Sequence, residues 1–364
     1  LKILIISSYT DTWNSVRPEA EIFIGLVKLG VDVTLMTEGD AEYVSRFEEN
    51  GVKVIDFHPK KKLEWSAIRR IRSELKQGGY DALYMFNNKA ITNGLFAAIG
   101  LPVKTISYRG QTGNIYWYDP TSYLTHLHPR LDAIICVANA VRDDLHLQSR
   151  LPKENIVTVY KGHSLDWYQD QPADLSEFGI PSDGFVVGCV ANDRPRKGLP
   201  VLLEASKLLP QDKDIYFLLV GNGMDSDHIQ ALIQESPMAE RIKVAGHRKD
   251  APALIAACNV SVLPSIKREG LPKTVIEAMA YGTAVIVSAT GGSAELIVDG
   301  ESGIRVEPGD VNAISSGIIT LEEDRELCAR MGEAGKNRIL THFSTEKSAL
   351  DTLEFLNKLV VTKR

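Results

Sequence analysis

The segment REGLPKTVIEAMAYGTAVIVSATGG (268–292) carries two acids, Glu269 and Glu277, on either side of a helix start. Pro272 fits the first helical position, where a missing N–H costs nothing, and Gly282 fits just past the helix end. The first N–H groups of such a helix have no partner of their own. They also carry the positive end of the helix dipole, so the tip is an anion site. Glu277 lies about five residues in, ~7–8 Å along the axis at 1.5 Å per residue. That distance suits a ribose attached to a phosphate at the tip, because a carboxylate accepts two hydroxyl protons. Glu269 precedes the tip and suits the hydroxyls of a group beyond a diphosphate. The plainer alternative makes Glu269 a partner of the helix dipole and Glu277 a solvated helix residue. The apolar neighbours Val275, Ile276, Ala278 and Met279 speak against it.

Other segments offer polar chemistry. In VANDRPRKGLPVLLEA (190–205), Arg194, Arg196 and Lys197 form a basic loop between a strand and a helix beginning near Leu199. Such cations beside a helix start suit an anionic group; a solvated basic loop is the bland reading. LLVGNGMDSDHIQALI (218–233) places Gly221 and Asn222 after a strand, with Asp225 or Ser226 as a helix cap rather than a metal ligand. Gly291 and Gly292 permit close backbone approach to a ligand, and Glu295 reads as a first-turn dipole partner. His126 and His128 have strand-like metal spacing but no visible third ligand, so structural roles are expected. No phosphate-binding G-x-x-x-x-G-K-[ST] motif is present.

These loops need strands to hold them. β-branched runs start at residues 2, 31, 52, 82, 103, 133 and 155, and a second series starts at 185, 215, 242, 260 and 284. Nearly continuous apolar strands spaced by helices indicate parallel sheets covered on both faces. The restart at 185 predicts an α/β chain of two doubly wound, Rossmann-like domains, residues 1–165 and 166–343, with 160–184 as the linker region. Ligands of such sheets bind at the carboxyl ends of the strands, so the cleft between the domains is the expected site. The segment 344–364 has helical apolar spacing.

The 364 residues suit two domains, and a net charge of −6 disfavours a general nucleic-acid binder. No apolar run is long enough to span a membrane, and LKILIISS reads as a first strand rather than a signal peptide. Cys136, Cys189, Cys258 and Cys328 lie far apart in apolar runs, which predicts free buried thiols in a reducing, cytoplasmic compartment. Residues 59–76 carry seven basic side chains (Lys60, Lys61, Lys62, Arg69, Arg70, Arg72 and Lys76), while Trp65, Ile68, Ile71 and Leu75 fall at helical spacing. Such a helix suits an anionic membrane surface, or simply packs its apolar stripe inward; both readings stand together.

The segment REGLPKTVIEAMAYGTAVIVSATGGSAELI resembles the E-x7-E region of retaining glycosyltransferases of family 4, which have the GT-B fold. The flanking IKVAGHRKDAPALIAACNVSVLPS and VDGESGIRVEPGD extend the resemblance to roughly 155–310. It implies transfer of a sugar from a nucleotide-diphosphate sugar, with retention and without metal or other cofactor, to a glycan or lipid-linked acceptor. Cell-envelope polysaccharide or lipopolysaccharide synthesis is the expected setting, in the cytoplasm or at the inner face of the cell membrane. By the resemblance, Glu269 contacts the donor sugar and Glu277 the ribose. The amides of Gly270, Leu271, Lys273 and Thr274 face the diphosphate, and Gly221 and Asn222 lie near the donor. Lys197 carries over directly. The family's arginine stands five residues before that lysine, where this chain has Asn192; Arg194 is favoured over Arg196 to take its place. Near the family's usual cleft histidine this chain has Tyr108 and Arg109, the acceptor-side candidates. The family's C-terminal helix crosses back to the N-terminal domain, and in its mechanism the leaving phosphate helps take the acceptor proton. A nucleotide-sugar epimerase of the same fold and a non-catalytic glycan-binding subunit remain as alternatives.

Overall fold

Among the described residues, thirteen short strands fall into two parallel sheets. The computed structural model describes residues 1–11 and 13–361, the side chains of residues 13–15 apart. Thr12, in the first strand-to-helix loop, and residues 362–364, at the end of the expected C-terminal segment, lie outside the described residues.

The chain divides into Leu1–Gly162 with the segment from Phe343 onward, and His163–His342. In the first unit the strands are β1 (Lys2–Ile6), β2 (Asp32–Thr37), β3 (Lys53–Asp56), β4 (Ala82–Met85), β5 (Lys104–Arg109), β6 (Ala133–Cys136) and β7 (Ile156–Thr158). Their order is β3-β2-β1-β4-β5-β6-β7. In the second they are β8 (Phe185–Val190), β9 (Ile215–Val220), β10 (Ile242–Gly246), β11 (Val260–Leu263), β12 (Ala284–Ser288) and β13 (Ile304–Val306), in the order β10-β9-β8-β11-β12-β13. Every pairing between these strands is parallel. Runs such as ALYM and AVIVS are buried at every position, as strands covered on both faces must be. In each sheet the winding reverses once, between β1 and β4 and between β8 and β11, and such a reversal opens a crevice at the carboxyl ends of the strands.

Each unit has its own core. Phe185, Phe217, Leu219 and Ile286 sit in one; Ile3, Phe23, Tyr84 and Ile106 sit in the other. The helix Thr345–Val361 contributes Phe355, Leu356 and Leu359 to the first unit's core and packs on the helix Trp13–Lys28. Its Ser348 hydroxyl accepts from the Gly162 amide (2.9 Å) and lies 2.6 Å from the Tyr160 carbonyl. All four cysteines are free and buried, and burial pushes the Cys136, Cys189 and Cys258 thiols up to about 12. Among the described residues, no helix is long and apolar enough to cross a membrane.

Candidate functional site

Four neighbouring strands of the second unit, β9, β8, β11 and β12, end beside one another, and their outgoing loops build the site. The loop after β11 is held by the loop after β8. The Ile266 amide donates to the Arg196 carbonyl (2.9 Å), and Arg196 Nη1 donates to the Arg268 carbonyl (2.9 Å). Gly198, at φ +69°, lets the two backbones meet: a Cβ there would stand 2.0 Å from the Pro264 carbonyl oxygen.

This clasp delivers Glu269 to Lys197. The carboxylate is buried, 4% exposed. Its Oε1 accepts from Lys197 Nζ at 2.8 Å and from the Ser265 hydroxyl at 2.6 Å, with Arg196 Nη1 at 4.0 Å. Gly291, at φ +53°, seals the far side, where a Cβ would lie 1.9 Å from the Glu269 carbonyl oxygen. Sequence reasoning expected Gly291 to admit a ligand; the backbone it admits is that of Glu269.

The helix Lys273–Ala280 follows at once. Pro272 occupies its N-cap rather than the first helical position, and proline has no side-chain group to cap with. Gly270, Leu271, Lys273 and Thr274, the expected diphosphate amides, are all half-buried at this open end. At the other end, Thr283 N donates to the Ala278 carbonyl and Gly282 N to the Met279 carbonyl, the paired bonds of a Schellman stop. Val275, Ile276 and Met279 are buried and fix the helix in place. Glu277 is 7% exposed, not solvated, and pairs with Lys273 Nζ at 2.9 Å.

Gly221 and Asn222 join the same loops. Asn222 N donates to Asn192 Oδ1 (3.3 Å), and Asp193 N donates to the Asn222 carbonyl (2.8 Å). Ser226 takes the N-cap of the helix Asp227–Gln234, and its hydroxyl donates to Asp193 Oδ2 (3.3 Å). Asn192, standing where the family has its arginine, therefore spans two loops. The structure brings Arg196 to Glu269, while Arg194, the favoured arginine, is exposed. Ser265 escaped sequence reasoning; the available signal was a hydroxyl four residues before the first acid, on the strand end.

The first-unit candidates face their own unit. Tyr108 stacks on Phe86 at 4.9 Å between ring centres and lies under Lys161 Nζ at 4.6 Å; burial pushes its phenol up. The Arg109 guanidinium donates to the Gly113 carbonyl, while Gly113 N donates to Asp144 Oδ2 (2.8 Å). Arg109 thereby pins its own loop. His126 is buried against the Ser107 hydroxyl (2.9 Å), and burial followed by the nearby Arg109 charge pushes its pKa down to about 3. His128 accepts from the Arg130 amide at 3.0 Å. The described residues contain no cluster of three potential metal ligands.

Residues 170–338 match the family model "Glycosyl transferases group 1", and residues 20–167 match "Glycosyltransferase Family 4". The chain belongs to this family of GT-B glycosyltransferases. Over 173 residues it is 30% identical to the lipopolysaccharide core biosynthesis glycosyltransferase LpsE of Rhizobium meliloti, covering 48% of this chain and 50% of that protein. It is 29% identical to the lipopolysaccharide core biosynthesis mannosyltransferase LpcC of Rhizobium leguminosarum bv. viciae, covering 63% of this chain and 65% of that protein. The matches thus span about half to two thirds of these relatives' own length. A glycosyltransferase from Rickettsia africae superposes with a TM-score of 0.83 at 19% identity, covering 99% of both chains. Anabaena HepE in complex with UDP superposes with a TM-score of 0.81 at 20% identity, covering 98% of this chain and 100% of that one. At these identities the superpositions establish the fold alone.

Proposed function

We propose that the protein is a retaining glycosyltransferase that moves a sugar from a nucleotide-diphosphate sugar to a hydroxyl of a glycan or lipid-linked acceptor. Cell-envelope polysaccharide or lipopolysaccharide synthesis is the setting its relatives' names favour. The observation that carries the reading is Glu269: a buried acid held between Lys197 and Ser265, beside an open helix start, with a second buried acid one turn in. The helix amides and Lys197 take the diphosphate, Glu277 the ribose diol, and Glu269 the hydroxyls of the transferred sugar. Arg196, rather than Arg194, stands with Lys197 to stabilise the departing phosphate. The donor C–O bond to phosphate breaks as the acceptor oxygen bonds to the same face of the carbon, and the acceptor proton passes to the leaving phosphate. Lysine and arginine supply the countercharge in this scheme, so no metal is required of it. Lys197 and Lys273 neutralise Glu269 and Glu277 before the donor arrives.

The test is a thermal-shift panel of nucleoside diphosphates, followed by nucleotide release from the best donor with neutral glycosides as acceptors. Glu269→Gln should abolish release while leaving nucleotide stabilisation intact. Unchanged turnover in that variant overturns the assignment, and an epimerised sugar from donor alone would make the protein an epimerase. We place the protein in the cytoplasm, with the basic face of 59–76 against the anionic inner surface of the membrane.

A further inference from the structure

The carboxyl edge of the first sheet holds a second polar constellation, built from one side chain after each of four strands: Ser8 after β1, Glu38 after β2, His58 after β3 and Asn87 after β4. Asn87 Oδ1 caps the helix Asn88–Ala97 by accepting from Lys89 N and Ala90 N, both at 3.1 Å. That bonding fixes the amide, so Nδ2 is the group 3.2 Å from His58 Nε2 and donates to it. Nε2 is therefore the acceptor nitrogen of a neutral imidazole, and Nδ1 carries the proton. Nδ1 lies 3.2 Å from Glu38 Oε1, which also accepts from the Ser8 hydroxyl at 3.1 Å. His58 is buried, 9% exposed, whereas the Glu38 side chain is 29% exposed. A helix start thus orients an amide, the amide an imidazole, and the imidazole a solvent-facing acid.

Position gives this relay its meaning. β1 and β4 are the neighbours at which the sheet reverses its winding, and Ser8 and Asn87 stand on the two sides of the crevice that results. Ser7 and Tyr9 turn the other way, both donating to Glu19, so Ser8 alone of the three faces Glu38. Glu38 Oε2 has only a long 3.3 Å bond from the Thr37 hydroxyl among its described partners, and Thr10 Oγ1 lies 3.3 Å from Ser8 Oγ. An acid with open lone pairs beside rotatable hydroxyls matches a neutral diol and repels an acidic sugar.

We propose that Glu38 is an acceptor-binding carboxylate that grips vicinal hydroxyls of a neutral sugar, with His58 and Asn87 as its positioning residues. The inference rests on the sugar-transfer reading above and names the acceptor class for it. With the nucleotide found by thermal shift bound, methyl glucoside, mannoside, galactoside and N-acetylglucosaminide are offered. Binding is followed by saturation-transfer NMR, and turnover by nucleotide release. Glu38→Gln should weaken glycoside binding and raise the acceptor KM at least tenfold, with the donor KM unchanged. His58→Ala should move the acceptor KM the same way. His58→Gln should restore it, because a glutamine amide both donates and accepts. An unchanged acceptor KM in Glu38→Gln, or equal loss in His58→Gln and His58→Ala, overturns the proposal. Glycoside binding that depends on Glu38 without any turnover would sustain this site and sink the transfer reading. Turnover indifferent to Glu38 would do the reverse, and wild-type protein that neither binds nor transfers would sink both.

Discussion

A carboxylate with 4% exposure stays charged only where donors replace its lost water, and Glu269 has an ammonium and a hydroxyl within 2.8 Å. Removing one partner of such a pair strands the other. Lys197→Met should therefore destabilise the second unit on the order of 3 kcal/mol, more than Glu269→Gln, which strands the lysine instead, an ammonium that is 18% exposed and still reaches water. Urea denaturation of both variants checks this; equal losses would show that the pair is not buried in solution. His126 makes the corresponding case for pH. Its folded pKa of about 3 lies below the ordinary 6.5, so its contribution is complete above pH 6.5 and drains away as the pH falls toward 3. At pH 5 the loss is about 2 kcal/mol, by 1.36 kcal/mol per pKa unit. His126→Gln, which keeps a partner for Ser107, should lose less stability than wild type between pH 7.5 and 5 in the same assay. At this scale the two acids were legible from their spacing along one loop and helix, and Lys197 from a separate basic loop together with the family resemblance. The sequence did not separate Arg196 from Arg194. That choice depends on the turn Pro195–Lys197 and on Arg268 at φ +63°, neither of which leaves a mark in the letters.

At the scale of elements, the apolar runs predicted every strand but β13, whose three residues include an exposed arginine and make no apolar run. The helix Trp65–Gly78 shows a subtler difference. Its expected stripe divides: Ile68, Ile71 and Leu75 face inward, while Trp65 is 69% exposed and the preceding Leu63 is 47% exposed. A stiff mount holds this apolar knuckle. Asn93, fully buried, accepts from Glu64 N (2.8 Å) and donates to the Lys61 (2.9 Å) and Lys62 (3.2 Å) carbonyls. Glu64 in turn accepts from the Lys60 and Lys61 amides. Lys60, Lys61, Lys62, Arg69 and Arg70 surround the knuckle and are exposed. An indole amid cations suits the headgroup region of an anionic bilayer. The protein should sediment with phosphatidylglycerol vesicles and not with phosphatidylcholine vesicles, with a blue shift in its tryptophan fluorescence. Trp65→Ser should cut the bound fraction severalfold without changing nucleotide binding. Binding that ignores lipid charge or Trp65 would remove the membrane from the proposal.

At the scale of the molecule, chain order and spatial membership part company at the end. The helix Thr345–Val361 follows the second unit in sequence yet fills the core of the first. Its apolar spacing was visible in the sequence, but that spacing does not choose a unit, because any amphipathic helix offers the same stripe to either core; the first unit was expected only from the family resemblance. The close fit on the helix Trp13–Lys28 decides it: a Cβ on Gly25 would meet the Ala349 Cβ at 2.7 Å. The Gly162–Ser348 bond ties this returning segment to the point where the chain leaves the first unit. Phe355→Ala should therefore lower the melting of the first unit, by about 3 kcal/mol for a truncated core phenylalanine. A bound nucleoside diphosphate stabilises the fold that holds it, and the residues proposed to hold it lie within His163–His342. The Phe355 variant should keep wild-type nucleotide affinity by calorimetry while hydrogen exchange quickens in β1, β4 and the helix Trp13–Lys28. A fall in affinity equal to the loss of stability would mean that the nucleotide site depends on the first unit's core, and the assignment of donor binding to the second unit alone would have to be abandoned.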